Sequence, residues 1–201
     1  MSTFITSDWH LGDTRLKSMH RPFANSNEML DVMVRNHNFL VSPNDLVYVL
    51  GDVCNKDAPE CLESVNLFNG RKILVRGNHD RQIQDKDFLK YFEDVIPEGQ
   101  GIDLNFGGVD CFLTHYPTLA KTERFNLVGH IHSAWKLQLN SLNVGVDVHH
   151  FYPISTLDVV KYYESIHNFY DNDAWVAYIY ANMSYLNSRG VKSSRYNKEY
   201  D

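Results

Sequence analysis

Five short packets of histidine and carboxylate residues punctuate this chain: Asp8-Trp9-His10, Gly51-Asp52, Gly77-Asn78-His79-Asp80, Thr114-His115-Tyr116 and Gly129-His130-Ile131-His132. Their side chains offer oxygen and nitrogen donors with no thiolate among them. Together they are enough to hold two metal ions, and a pair of divalent cations suits hydrolysis of a phosphate ester.

No packet is decisive alone. Asp8 and His10 alternate by two, so on an extended segment both side chains leave the same face; taken alone, the pair reads more plainly as a capped turn with a surface histidine. Gly51-Asp52 follows a buried apolar run, and an aspartate there has two oxygens with which to bridge two cations, although the same pair also makes an ordinary strand-end turn. Gly77-Asn78-His79-Asp80 is the most informative. Asn78 brings a neutral amide oxygen, and His79 stands beside Asp80, a carboxylate suited to fixing its tautomer. His130 and His132 again alternate by two, whereas His115 by itself reads as a core or turn histidine. Their joint weight comes from position, because all five follow predicted strands, where α/β sheets gather their active sites.

The elements that must place these packets are legible in outline. Thr3–Thr6 reads as a strand feeding Asp8. Residues 26–40 read as a helix capped by Ser26 or Asn27, with Met29, Leu30, Met33, Val34 and His37 at helical spacing. Leu46–Leu50 is a buried strand. A helix from Asp57-Ala58-Pro59-Glu60, carrying Cys61, Leu62, Val65 and Leu67, stops at Asn69-Gly70. Lys72–Val75 is a strand, followed by a short helix near Phe88–Phe92. Ile102–Phe106 and Val109–Leu113, split by Gly107-Gly108, predict a hairpin, and Phe125–Val128 and Leu142–Val146 predict two more strands. Thr156–Ser165 and Ala174–Leu186 read as helices. The first half is thus β-α-β-α-β and the second mostly β, which predicts an α/β fold of two packed mixed sheets with outer helices, a four-layer sandwich.

With 201 residues the chain is long enough for one sizeable core, and its 43% hydrophobic and 22% charged residues are ordinary for a soluble protein. The net charge of −6 argues against a broadly basic nucleic-acid surface, although two bound divalent cations would offset it locally. Cys54, Cys61 and Cys111 form no CxxC motif and predict no disulfide framework. With no signal-like N-terminus and no long apolar run, the expectation is a cytoplasmic protein without a membrane partner.

The series Asp8-x-His10, Gly51-Asp52, Gly77-Asn78-His79-Asp80, His115 and Gly129-His130-x-His132 resembles the calcineurin-like metallophosphoesterase superfamily. Closer in, TSDWHLGD, RPF, LGDV, RGNHD, THYP, GHIH and NVGVDV-x-x-x-x-PIS resemble a small bacterial and phage branch of predicted phosphoesterases. Asp13 departs from that branch, where a histidine often follows the glycine equivalent to Gly12. The resemblance covers a domain of residues 1–165 and leaves 166–201 as a C-terminal extension.

It implies two divalent cations, Mn first, with Fe, Zn or Ni as alternatives. One would be held by Asp8, His10, Asp52 and His132, and the other by Asp52, Asn78, His115 and His130, with Asp52 shared. Such a pair activates a water or hydroxide for in-line attack on phosphorus. His79, held by Asp80, would act as general acid. Arg15, Arg21, Arg76 and Tyr116 are candidate substrate contacts; a surface ion pair is the alternative for each arginine and the plainer reading of Arg15, and simple packing is the plainer reading of Tyr116. The expected substrate is a phosphodiester of nucleotide type. A nuclease, a phosphomonoesterase and a non-enzymatic interaction scaffold are the alternatives, and a homo-oligomer is compatible with the late Trp175–Leu186 stripe.

Overall fold

The computed structural model describes residues 1–55 and 57–169. The predicted helix over Ala174–Leu186 lies outside the described residues. The chain divides into two compact units, Met1–Tyr163 and Glu164–Asp201, and the packets all fall in the first.

Two five-stranded sheets form its frame. In the first, β1 (Thr3–Thr6), β2 (Leu46–Val49), β3 (Arg71–Val75) and β4 (Asp94–Ile96) run parallel, and β10 (Ile154–Ser155) adds antiparallel to β1. The second has the order β5 (Gly101–Phe106), β6 (Val109–Thr114), β7 (Phe125–Val128), β9 (Ser141–Asn143) and β8 (Leu137–Gln138). Its central pairs, β6–β7 and β7–β9, are parallel, while β5–β6 and β8–β9 are antiparallel. Both sheets are therefore mixed, as the sequence predicts.

In β1 to β3 the side chains of Phe4, Val47, Val49 and Leu74 enter one core cluster with Met29 and Met33 of α1 (Ser26–Leu40), while the alternate residues Ile5, Tyr48 and Val75 are buried on the opposite face. Strands buried on both faces read as unbroken apolar runs, which explains why Leu46–Leu50 is so plain in the sequence. Each fully buried large apolar side chain contributes about 1.5–3 kcal/mol. Trp9 stacks on Phe68 with centroids 4.3 Å apart, and His37 meets both rings edge-on. His37 Nε2 lies 2.9 Å from the Asn69 carbonyl, and burial pushes its pKa down to about 4. It is the buried structural histidine its helical spacing predicts.

Several boundaries differ from the sequence reading. The cap of α1 is Asn25, whose Oδ1 accepts from the backbone N–H groups of Asn27 at 3.0 Å and Glu28 at 2.9 Å. The helix after Pro59 is a 3₁₀ helix over Pro59–Leu67. Leu62, Val65 and Phe68 are buried along it, and a three-residue turn stacks residues at that spacing on one edge. The short α2 covers Asp85–Phe88 rather than Phe88–Phe92, although both phenylalanines are buried. Strand β9 ends at Asn143 instead of Val146 because the Asn143 side chain takes over its bonding. Its Nδ2 donates to the carbonyls of His132 and Trp135, and its Oδ1 accepts from Gly145 N. The chain then turns into a 3₁₀ segment, Val146–Val148. Strands β4, β8 and β10, of two or three residues each, escape the sequence because they are too short to show a period. The last helix among the described residues, α3, spans Thr156–Phe169. No helix among the described residues is long and apolar enough to cross a membrane.

Candidate metal centre

The segments leaving β1 and β2 continue to pair after the strands end. Asp8 N donates to Gly51 O at 3.0 Å, His10 N to Asp52 O at 2.9 Å and Leu11 N to Val53 O at 2.9 Å. This continuation sets Asp8, His10 and Asp52 side by side. Ser7 bridges to Gly145 and Val146 N donates to Ser7 O at 3.1 Å, joining the ligand loop of the first sheet to the segment after β9 in the second. The backbone N–H of His130 donates to both Asp8 carboxylate oxygens at 3.0 Å, anchoring the loop after β7 on the same spot.

Backbone geometry marks the residues that need this arrangement. Eight non-glycine residues have left-handed φ among those described, and five are packet residues: Asp8 at 60°, His10 at 50°, Asp52 at 54°, His130 at 76° and His132 at 47°. Such conformations cost about 1–3 kcal/mol each and persist where surrounding structure enforces them. The packet glycines answer a different need. A Cβ at Gly77 would run into the Asp52 carboxylate, and one at Gly129 would run into Ser7 Oγ.

Donor atoms converge in three overlapping groups, each within 4.8 Å: Asp8, His10 and His132; His10, Asp52 and His79; Asp52, His115 and His130. Asp52 stands between the two sides. Its Oδ2 lies 3.5 Å from His10 Nε2 and its Oδ1 lies 3.5 Å from His115 Nε2. Asn78 completes the second side, with Oδ1 3.2 Å from His115 Nε2. All seven residues assigned as ligands by resemblance are therefore gathered at one place, between the C-terminal ends of the central strands of both sheets.

The chemistry of these groups fits cations. His115 Nδ1 is 2.6 Å from the Leu50 carbonyl, which has no proton to give. In neutral His115 the proton must sit on Nδ1, so the Nε2 lone pair faces the oxygens of Asn78 and Asp52. With Asp52 ionised, three acceptors then converge with no proton among them, an arrangement that a cation relieves in place of the proton. Both ring nitrogens of His10 are buried without a hydrogen-bond partner, and burial, with Arg21 adding to it, holds its pKa well below the ordinary histidine value. Burial and the nearby Asp8 and Asp80 carboxylates push Asp52 up to about 8. A divalent cation would remove both penalties, and the oxygen–imidazole donor set suits Mn, Fe, Zn or Ni.

The structure divides the remaining candidates. His79 lies beside the ligands, its ring edge-on to His10 with centroids 4.8 Å apart, and its backbone N–H donates to Asp52 Oδ1 at 2.9 Å. Asp80, expected to fix the tautomer of His79, is fully buried with both oxygens engaged by backbone N–H groups. Oδ2 accepts from Asp52 and Gly77, and Oδ1 from Val53. Its place in the centre is to hold the loop that carries Asp52.

Arg21 is not available as a substrate contact. It is buried, forks onto Asp147 at 2.8 and 2.9 Å, and donates to the carbonyls of Asp8 and Trp9. Arg76, partly buried, is also engaged within the protein, binding Asp85 and the carbonyls of Asp80 and Ile83. Arg15, half exposed, pairs with buried Asp13. Tyr116 packs edge-on against His115 and His130 at 4.8 and 4.9 Å, and its hydroxyl donates to Glu98, which Arg81 also holds.

Asp147 is the residue that sequence reasoning left without a role. It accepts from His132 Nδ1 at 3.0 Å, a contact that raises the pKa of His132. A carboxylate directly after a segment read as a strand, as Asp52 also follows one, was the available signal.

Comparisons with known proteins agree with this geometry. The chain is 29% identical over 174 residues to an uncharacterized protein of Methanocaldococcus jannaschii, covering 80% of this chain and 90% of that protein. It superposes on the crystal structure of a protein of unknown function from Aquifex aeolicus with a TM-score of 0.60 and 26% identity, covering 80% of this chain and 98% of that one. The family model for calcineurin-like phosphoesterases matches residues 1–182. The chain therefore belongs to the calcineurin-like phosphoesterase family, a family of metal-dependent hydrolases that act on phosphate esters.

Proposed function

We propose that this chain is a Mn-dependent phosphodiesterase acting on a nucleotide-type substrate. The observation that carries the reading is the convergence of His115 Nε2, Asn78 Oδ1 and Asp52 Oδ1, with Nε2 3.2 and 3.5 Å from the two oxygens. On the other side of Asp52, its Oδ2 stands 3.5 Å from His10 Nε2. Asp8, His10, Asp52 and His132 would hold one cation, and Asp52, Asn78, His115 and His130 the other. Bound there, the pair supplies Lewis-acid polarisation of the phosphoryl group and an acidified water nucleophile.

The chain's own residues do the rest. Asp52 keeps the two halves in register, because its oxygens point to opposite sides. His79 stands beside both His10 and Asp52 and delivers a proton from an imidazole nitrogen to the departing alkoxide oxygen of the ester. The short connection between β6 and β7 and the exposure of His130 leave the approach to the centre open. Tyr116 offers an aromatic surface at its edge, which suits a nucleobase.

The test is turnover of a bis-aryl phosphate by metal-loaded protein. It is followed by a panel of mononucleotides, cyclic nucleotides, dinucleotide polyphosphates and short single-stranded nucleic acids. Mn²⁺-dependent cleavage with preference for a small nucleotide diester is expected. Preference for the single strands would make the enzyme a nuclease, and inactivity of fully loaded protein on the whole panel would favour an interaction scaffold.

A further inference from the structure

Two of the candidate ligands have a carboxylate behind them, and each carboxylate has an arginine behind it. His132 Nδ1 lies 3.0 Å from Asp147 Oδ2. Arg21 closes on the same carboxylate through Nε at 2.8 Å and Nη2 at 2.9 Å, and the two side chains are 0% and 4% exposed. The same guanidinium donates to the carbonyls of Asp8 at 2.6 Å and Trp9 at 3.0 Å. One buried cation thereby joins the loop of Asp8 and His10 to the carboxylate that orients His132.

A looser version stands behind His10. Its Nδ1 meets Asp13 Oδ2 at 3.9 Å, beyond hydrogen-bond length. Asp13 is fully buried and is forked by Arg15 at 3.1 and 2.6 Å, with the Arg15 backbone N–H adding a third bond at 2.8 Å. The other side of the centre differs. His115 rests Nδ1 on the neutral Leu50 carbonyl, and Asn78 supplies an uncharged oxygen where the first side has Asp8.

We propose that Asp147, and more weakly Asp13, are positioning residues for His132 and His10, and that the metal position they back binds its cation more tightly, so that the two positions fill in order. The inference rests on the dinuclear reading above. A carboxylate accepting the outer N–H of a ligating imidazole fixes the tautomer that presents Nε2 and raises its basicity as a donor. Two anionic oxygen ligands, against one plus an amide, act in the same direction. The arginines hold the outer carboxylates ionised and in place, so the ordering is built into the fold rather than into the ligands alone.

The experiment is a Mn²⁺ titration of chelator-treated full-length protein, followed by calorimetry and electron paramagnetic resonance. The unsubstituted protein should show two affinity classes, with a mononuclear signal persisting to the first equivalent and a spin-coupled signal after it. Asp147→Asn should weaken the tighter class by about tenfold to a hundredfold and leave the weaker class in place. Asp13→Asn should act in the same direction with a smaller loss, and because Arg15 is half exposed it carries the test if Asp147→Asn fails to fold. Equal filling of both positions by the unsubstituted protein overturns the inference, as does a substitution that weakens both classes alike or neither. Ordered binding of two ions without turnover on any phosphate ester leaves it standing and removes the phosphodiesterase reading; a protein that binds no Mn²⁺ overturns both.

Discussion

The two sheets contribute to the centre in different currencies. The parallel sheet, through the loops after β1, β2 and β3, supplies every oxygen donor, Asp8, Asp52 and Asn78, together with His10 and His79. The second sheet, through the loops after β6 and β7, supplies only imidazoles: His115, His130 and His132. The negative charge that demands cations is thus concentrated on one half, and the other half closes over it with neutral donors. One consequence is that the halves are not interchangeable under mutation. Loss of a carboxylate on the first sheet removes the reason for the metals to bind, whereas loss of an imidazole on the second removes one wall of one position.

The sharpest way to break this contrast is Asp52→Asn. It should empty both positions and lower Mn²⁺-dependent turnover by more than about 10³-fold, while His130→Ala keeps one ion, as elemental analysis of the purified variants would record. Equal metal loss in the two variants would erase the distinction between the sheets. Next in size, His79→Ala should retain two ions and reduce kcat by about 10²–10⁴-fold. Loss of the ions in that variant would move His79 from acid to ligand, which its 4.8 Å grouping with His10 and Asp52 permits on distance alone.

A smaller effect is read in the pH dependence of metal binding. In the metal-free protein Asp52 is held up to about 8, so below that pH a cation must displace its proton. Affinity for Mn²⁺, measured by calorimetry, should rise about tenfold per pH unit toward 8 and then flatten. His10, with its pKa held well below the ordinary histidine value, is already neutral over that range and adds no slope, whereas His132, raised by Asp147, steepens the rise at the lower end. An affinity that falls as pH rises would contradict the Asp52 assignment. Smallest of all, Asn25→Ala removes the cap of α1 and should cost about 1 kcal/mol of stability in thermal unfolding without changing metal content.

How much of this was legible in the sequence follows from the same contrast. Strands β2 and β3 advertise themselves as apolar runs leading into Gly-Asp and Gly-Asn, so the packets on them could be placed by inspection. The motif ligands on the second sheet were equally plain, but their surroundings were not. Leu142–Val146 reads as one strand because Val144 and Val146 are buried, yet the bonds of the Asn143 side chain to His132, Trp135 and Gly145 end the strand early and turn Asp147 toward His132. Long-range pairings of this kind leave no period. Arg21 and Arg76 were misplaced for the related reason that proximity in sequence to a ligand says nothing about which way a guanidinium points. Arg21 finds its partner 126 residues away.

The left-handed backbone at Asp8, His10, Asp52, His130 and His132 has a consequence for how this chain would drift. At those five positions the fold on its own prefers glycine or asparagine, and only the chemistry requires the residue present. Stability and activity therefore pull in opposite directions there. Propagated in the laboratory under selection for folding alone, with no demand on hydrolysis, the chain should shed these five side chains ahead of His115, whose backbone carries no such tension. The order of loss would show directly which residues the activity alone keeps in place.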